Sequence, residues 1–587
     1  MKLKKRNLFL SFMVLGICFV LLGKKTYAAE ASSNIITTDT IYSLKYLKAG
    51  IGTTVKTKGA FVVNDNGGAN YVITDKPKSP ADDIFTIKLQ SGLYAELQTN
   101  GVVNVAQAKI YPGKNISKEL NTLIEAADST GLCNTIVFND GYYYIDKPIK
   151  LRSLTYKGSS NTNLSVAKGF ETGDDKVLYT YPDNNHSIYS LNISNINFLF
   201  DISNYQSAKN KEIYLMALQE IDGCNIENCK FRAYSSDVNA AFVKTNLLWF
   251  KHSSVTNNVK INNCMFLNLT GEVYKGAMTD YIVGGCLWVC GPDETNNVPI
   301  TNFSVTSCNF TSTTNDEVIG MWRGDFSNIY IGKCTFNTQS HDNDNVVSFY
   351  NASFKNTIMS SCIFNLNSPA RYSIKIAEIP KESEFKFSGL HFNLNSNVNN
   401  DTRNIALFMS EQTMAGIPKN VPVTMDIYNV TVRSKEDTKA MTLVAILEAE
   451  NRNIKIRNSD IDAPFSHGVY YLNNVKNSSL TVENSKINTY NALSTNDRLY
   501  NCNIIVKGNT IANKLSNLVR NAIAINYNFS NNTCTGTTYS ALFNCMNLTK
   551  EDYINLVDAN NIYTTDATHY YFYTNGNLNQ SDIIKKE

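Results

Sequence analysis

Ile329-Tyr-Ile-Gly-Lys-Cys334-Thr-Phe336 is one of five stretches in which alternating apolar residues lead to Cys, one further residue and Phe. The others are Asn225-Ile-Glu-Asn-Cys229-Lys-Phe231, Val259-Lys-Ile-Asn-Asn-Cys264-Met-Phe266, Phe303-Ser-Val-Thr-Ser-Cys308-Asn-Phe310 and Thr357-Ile-Met-Ser-Ser-Cys362-Ile-Phe364. Fainter versions run at Ile193 to Phe198, Phe385 to Phe392, Val423 to Val430, Ile454 to Ile461, Leu480 to Ile487 and Ile504 to Ile511. Successive ladder positions lie 35 (231 to 266), 44 (266 to 310), 26 (310 to 336) and 28 (336 to 364) residues apart, shortening to 26 (461 to 487) and 24 (487 to 511). A repeated unit of this size, with one short strand and insertions of variable length, predicts an all-β solenoid: a right-handed parallel β-helix in which each coil covers the apolar face of the last. The longer steps imply loops on one flank.

Strand side chains alternate sides, so Cys and Phe two apart point the same way, and the often polar residue between them makes that way inward. The five Cys then form a buried column. Stacked in-line Cβ vectors suit disulfide torsions badly, so free buried thiols are expected even though the chain has 13 Cys and looks exported. Cys286 and Cys290, four apart in an apolar stretch, read as core.

Lys2, Lys4, Lys5 and Arg6, an apolar run from Leu8 to Leu22 and the small-residue region to Ala29 read as a cleaved signal peptide over residues 1–29. That run is short for a membrane span, so the mature chain is expected outside the cell, released or loosely wall-associated, with no membrane partner. Cleavage removes six basic residues and no acid, taking the formal charge from +3 to −3. No concentrated basic patch remains, which argues against a nucleic-acid partner. Residues 32–103, with Gly52-Thr-Thr-Val-Lys-Thr-Lys-Gly59 and Asn66-Gly-Gly-Ala-Asn-Tyr71, read as a small β-rich module, and 104–587 as the β-helix. Ile116, Leu120, Leu123, Ile124 and Ala127 follow helical spacing, as a helix capping the open first coil would.

Six residues after four consecutive ladder Phe stands an acid: Asp237, Glu272, Asp316 and Asp342, with Glu317 and His341 alongside. Kept in register, these form a column on one outer edge, either solvated as ordinary turn formers or used to push pKa values apart for acid and base roles. The three Trp, at 249, 288 and 322, fall in the same stretch; Trp288 reads as core, and Trp322 beside Arg323 as an exposed platform for a sugar face.

The succession of Val103-Asn-Val-Ala-Gln107, the helix and Thr135-Ile-Val-Phe-Asn-Asp-Gly-Tyr-Tyr-Tyr-Ile-Asp-Lys-Pro-Ile149 resembles the pectate-lyase superfamily of phage tail spikes and secreted polysaccharide-degrading enzymes over most of the mature chain. Where that family places Gly-Asp-Gly before the helix, this chain has Ile110-Tyr-Pro-Gly-Lys-Asn-Ile116. Polygalacturonases of this fold present an acidic pair, then His, then Arg and Lys. Here Asn315-Asp316-Glu317 is followed by Ser340-His341-Asp342 and Arg371-Tyr-Ser-Ile-Lys375, and Asp293 is the nearest counterpart of the earlier acid. The resemblance implies Asp316 as general acid, Glu317 or Asp293 as the group activating water, His341 tuning protonation, and Arg371 and Lys375 binding substrate.

Two classes of function follow. One is a glycan-active enzyme, a hydrolase or a lyase, the lyase admitting Ca²⁺ beside Arg323 and Arg371. The other is a non-catalytic adhesin, glycan-binding stalk or prophage-derived spike, which the substituted motifs favour. In either the partner is a polysaccharide. No cofactor and no oligomeric state is specified.

Overall fold

A computed structural model describes residues 35–170, 175–183, 187–205, 212–237, 244–271, 284–291, 298–314, 316–338, 345–367, 372–394, 405–434, 441–464, 468–491, 494–514, 516–523, 525–535, 541–546, 553–563 and 584–586. The chain winds as a right-handed parallel β-helix. One coil shows the plan: strand Ile319–Trp322, a corner, strand Asp325–Gly332, a second corner, strand Thr335–Thr338, then a connection to Asn345–Tyr350 directly above the first strand. The first two strands of each coil join a 29-stranded sheet and the third a 15-stranded one.

Both corners need left-handed backbone. In this coil Arg323 (φ 54°) and Lys333 (φ 55°) supply it, and at the second corner the same place is taken by Asn228, Asn263, Ser307, Ser361, Asn429, Asn458, Asn484 and Asn531. Asn adopts this region at the least steric cost of any residue bearing a side chain, which accounts for much of the Asn in the sequence.

The ladder pairs as the repeat predicts. Phe198, Phe231, Phe266, Phe310, Phe336, Phe364 and Phe392 stand in register. Ring centroids repeat at 5.0 Å for Phe231–Phe266 and 4.8 Å for Phe266–Phe310, nearly coplanar at 4° and 6°. Inter-strand spacing alone sets that distance, so stacking follows from register. The column continues through Val432, Ile461, Ile487 and Ile511. In the coil read as ending at Val430, the Phe position is Val432, and Val430 occupies the Cys position.

Eleven Cys, from Cys133 to Cys534, are free thiols. The column has a polar task besides filling space. Cys229, Cys264, Cys308, Cys334 and Cys362 each donate to the carbonyl two residues back, at 3.2–3.3 Å, and the Cys264 N–H donates to Cys308 Sγ at 3.4 Å. Further along, Ser459, Ser485, Asn509, Asn532 and Asn561 take over this position with hydroxyls and amides.

At the N-terminal end, strands between Ile35 and Leu97 form a separate five-stranded mixed sheet. Gly101–Asn104 already pairs with Cys133–Val137, so helical stacking begins ahead of residue 104. Helix Ser117–Thr130 buries Leu120, Leu123, Ile124 and Ala127, and its Leu120 and Ile124 pack with Ile149, Leu151 and Tyr156 of the first coils. Its outer side is tied down by Arg152, nearly buried, between Glu125 (2.9 Å), Asp128 (3.6 Å) and Asp183 (2.8 Å). Among the described residues no helix is long and apolar enough to cross a membrane.

Candidate functional site

The first strands of successive coils turn one set of side chains inward and the alternate set outward. Leu248, Leu287, Ile319, Val347 and Ile374 form an inward column, while Trp249, Trp288, Gly320, Ser348 and Lys375 form the neighbouring outward one. Two residues on, Lys251, Cys290, Trp322 and Tyr350 make a second outward column. Trp288 therefore stands half-buried on the outer face beside Trp322, correcting its reading as core: its core neighbours Leu287 and Val289 take the inward positions. The same alternation corrects Cys290, which is half-buried and outward, whereas Cys286, just before the strand, is fully buried, a setting that pushes its thiol up to about 12.

These columns bring aromatic rings together across coils. Tyr214 stacks on Trp249 at 4.1 Å, Trp288 meets Trp322 at 4.8 Å, and Trp322 meets Tyr350 at 5.0 Å. Gly320 makes the central contact feasible. A Cβ there would fall 3.3 Å from Trp322 Nε1 and 3.4 Å from the Trp288 ring. Both indole N–H groups are without a hydrogen-bond partner.

Beside this row, Asp316 and Glu317 sit in the turn that leads from strand Asn309–Ser312 into Ile319–Trp322. Hydrogen bonds hold the surroundings closed: Thr314 Oγ1 donates to Gly284 O (2.5 Å), Asn268 Nδ2 to Thr245 O (2.8 Å) and Gly284 O (3.1 Å), and the Gly285 N–H to Asn246 Oδ1 (2.9 Å). Asp316 is 9% and Glu317 6% exposed. The Glu317 N–H donates to Asp316 Oδ1 at 3.0 Å, and Asn345 Nδ2 donates to Glu317 Oε1 at 3.2 Å. Burial, reinforced by the hydrogen bond to Asp316 and its charge, pushes the Glu317 carboxyl well above the usual carboxylate range. On the other side Lys244 Nζ lies 3.9 Å from Asp316 Oδ2 and 3.1 Å from Glu212 Oε1. One buried carboxyl inclined to hold a proton, next to a second carboxyl facing an ammonium, is an arrangement suited to giving and taking protons.

The other expected site residues are dispersed. Asp237 is exposed, so it and Asp316, the two described members of the acidic column, do not share a setting. Arg323 occupies a left-handed corner, half-buried, its N–H donating to Tyr350 O at 3.3 Å. Lys375, expected to bind substrate, is engaged by Glu411 at 2.6 Å and lies 6.0 Å from the Tyr350 ring and 5.8 Å from the Tyr372 ring. Glu272, Asp293, His341, Asp342 and Arg371 lie outside the described residues, as does the expected signal segment. Glu212, Lys244, Tyr214, Asn345 and Tyr350 were not singled out from sequence. The usable signal was the register, since Asn345 stands opposite position 317 one coil on, but the insertions between coils hide it. Among the described residues no three His, Cys, Asp or Glu side chains converge as metal ligands.

The class that this architecture defines is the right-handed parallel β-helix protein. Neither a protein-family model nor a curated protein sequence matches the chain. Similar solved structures include the tailspike gp61 of Pseudomonas phage phi297 (12% identity, 79% of this chain and 82% of that one, TM-score 0.44). Others are the gp42 tailspike of Acinetobacter phage vb_AbaP_AS12 (12%, 80% and 74%, TM-score 0.40) and the tailspike gp49 of Acinetobacter baumannii bacteriophage Fri1, a capsular polysaccharide depolymerase (11%, 90% and 75%, TM-score 0.37). At these identities the similarity is one of fold alone.

Proposed function

We propose that this chain is a secreted, polysaccharide-active protein that cleaves a glycan with the Asp316–Glu317 pair, using the Trp249–Trp288–Trp322–Tyr350 face as the sugar platform. The observation that carries the reading is the buried carboxyl pair, with Glu317 disposed to stay protonated, lying beside a row of contacting, mutually tilted aromatic rings on an outer sheet face. Flat rings match the apolar faces of pyranoses, and a carboxyl held neutral at pH 7 can protonate a leaving oxygen. Relative to the roles implied by resemblance, the two residues exchange places. Glu317 is the general acid, and Asp316, facing Lys244, remains the carboxylate that stabilises charge or takes the next proton.

Two carboxyls in hydrogen-bond contact are closer than the roughly 5–10 Å that separates the opposed partners of hydrolytic glycosidases. The pair therefore works as one unit on one side of the scissile bond. Hydrolysis and elimination both accept a leaving-group acid in this position, so product chemistry distinguishes them.

The test is reducing-end release and unsaturated-product absorbance over a panel of neutral and uronic-acid glycans, with and without Ca²⁺, for wild type and Glu317→Gln. Turnover in wild type that falls by about 10²–10⁴-fold in the variant is expected; full turnover in the variant would remove Glu317 from the chemistry. A second reading, a glycan-binding protein without turnover, draws on the low exposure of both carboxyls. It predicts silence across the panel, with binding that is lost on Trp322→Ala and kept on Glu317→Gln.

A further inference from the structure

We propose that Lys244, bridging Glu212 and Asp316, is a positioning residue that assigns the single proton of the Asp316–Glu317 pair to Glu317. This rests on, and deepens, the acid role given to that pair above.

Three carboxyl groups and one ammonium meet here. Lys244 opens strand Lys244–Asn262 and stands in register with Glu212 on the preceding coil. The Asp316–Glu317 pair arrives from two coils further on, at the entry to Ile319–Trp322. Glu212 is well provided for as an anion: Lys244 Nζ at 3.1 Å and Asn246 Nδ2 at 2.7 Å serve the same Oε1. Asp316 is also provided for, with the Glu317 N–H at 3.0 Å on Oδ1 and Lys244 at 3.9 Å from Oδ2. Glu317 accepts from the amide of Asn345 and adjoins the Asp316 carboxyl, and among the described residues no ammonium or guanidinium is paired with it. Among the described residues one half-buried ammonium serves both Glu212, which water also reaches, and the buried Asp316, so of the two buried carboxyls the one farther from that ammonium keeps its proton.

Among the described residues, the remaining groups facing this cluster supply no second balancing charge at the pair. From the Glu212 strand comes Tyr214, whose hydroxyl is kept protonated by burial and then by the Glu212 charge. From Leu287–Cys290 come Trp288, its ring 5.8 Å from Lys244 Nζ, and Cys290, whose thiol is raised by burial and eased down by Arg323 and Lys251. Lys251 itself lies 5.3 Å from the Trp249 ring, two positions along the outward face from Trp249. From Asn345–Tyr350 comes Asn345, with its Oδ1 buried and unpartnered. That free acceptor can take a hydrogen bond from a protonated carboxyl or an incoming hydroxyl, but it has no charge to offer.

With carboxyls this close together, the readout must identify which of them holds the proton. The experiment is infrared difference spectroscopy of the carbonyl stretch of protonated carboxyls, as a function of pH, on the full chain without glycan. Wild type is expected to show a band at neutral pH that Glu317→Gln lacks. Lys244→Met removes the counter-charge and should raise the pH at which this band disappears by at least one unit, a tenfold change in proton affinity. Glu212→Gln leaves Lys244 to Asp316 alone and should lower it. Lys244→Arg should match wild type. Opposite shifts from the two sides of one bridge are not produced by a general loss of packing, and Glu212→Gln keeps the proposal testable should Lys244→Met fail to fold. Absence of the neutral-pH band in wild type, or an unchanged midpoint in folded Lys244→Met or Glu212→Gln, would overturn the assignment. Since no substrate is involved, an inactive wild type would count against the glycan-cleaving reading alone.

Discussion

The second corner of the helix is built twice over in different chemistry. In the front coils it holds Cys229, Cys264, Cys308, Cys334 and Cys362; in the rear coils it holds Ser459, Ser485, Asn509, Asn532 and Asn561, on the same left-handed turn and the same stacking. The thiols donate weakly to a carbonyl two residues back. The amides do more: Asn532 Nδ2 donates to Val506 O (2.9 Å) and Asn561 Oδ1 (3.0 Å), while its Oδ1 accepts from the Asn509 N–H (2.9 Å) and Nδ2 (3.1 Å). In these two runs the position holds a small side chain that both donates and accepts, cysteine being the least polar of the set, while the coils between them fill it with the apolar Leu390 and Val430. The five column Cys serve this packing as free thiols rather than as a disulfide framework.

If this equivalence is right, the largest effect comes from removing polarity in the rear. Asn532→Leu strands buried donors and acceptors on two coils and should cost about 3 kcal/mol in denaturant unfolding. Exchanging Cys308 for the larger Leu, between the stacked side chains of Cys264 and Cys334, should cost about 1–3 kcal/mol through overpacking. Cys308→Ser, which borrows the rear chemistry, should stay within about 1 kcal/mol; a loss as large as that of Asn532→Leu would break the comparison. Thiol labelling sharpens it further: a small disulfide reagent should leave all five column thiols unmodified in the folded chain and modify them on unfolding.

Acid offers the finest separation, because neither corner chemistry contains a carboxylate. The N-terminal sheet does contain one. The Asp65 carboxylate accepts from the N–H groups of Ala60 (3.0 Å), Phe61 (2.7 Å), Val62 (2.9 Å) and Gly67 (2.8 Å), and from the Tyr111 hydroxyl (2.6 Å). Partial burial opposes ionisation, but the Tyr111 hydroxyl and the backbone donors outweigh it and hold the carboxyl at about 2. An unfolded Asp titrates near 3.9, so the folded value is depressed. Its contribution is then complete above about pH 4 and is lost as the pH falls through 2. Limited proteolysis between pH 4 and 2 should open the 59–67 loop before the coils, and Asp65→Asn should remove most of that difference.

The outer face follows a rule of its own. Gly320→Val would push apart the Trp288 and Trp322 rings without touching either corner. A change in tryptophan emission and weaker glycan binding, with unfolding shifted by less than Asn532→Leu shifts it, are expected.

Much of this was legible beforehand for a local reason. Alternation along a strand and a Cys-x-Phe pair two apart are set within a few residues, so the ladder from Phe231 to Phe364, the inward direction and the free thiols could be read directly. Errors arose where strand ends shift the phase: Val430 for Val432, Cys290 taken with Cys286, and Trp288 taken as core. The candidate site was half legible. Asp316 and Glu317 are adjacent and stood out, but Glu212 and Lys244 carry no motif.

Sequence therefore settled what recurs at short range: solenoid architecture, which side chains face inward, and the run of coils along the axis. Which outward residues meet was left to tertiary structure, because coils of 24 to 44 residues differ in insertion length and only the folded register tells which position stands above which. Lys244 reaches Asp316 across two coils for that reason, a contact that no local pattern in the sequence announces.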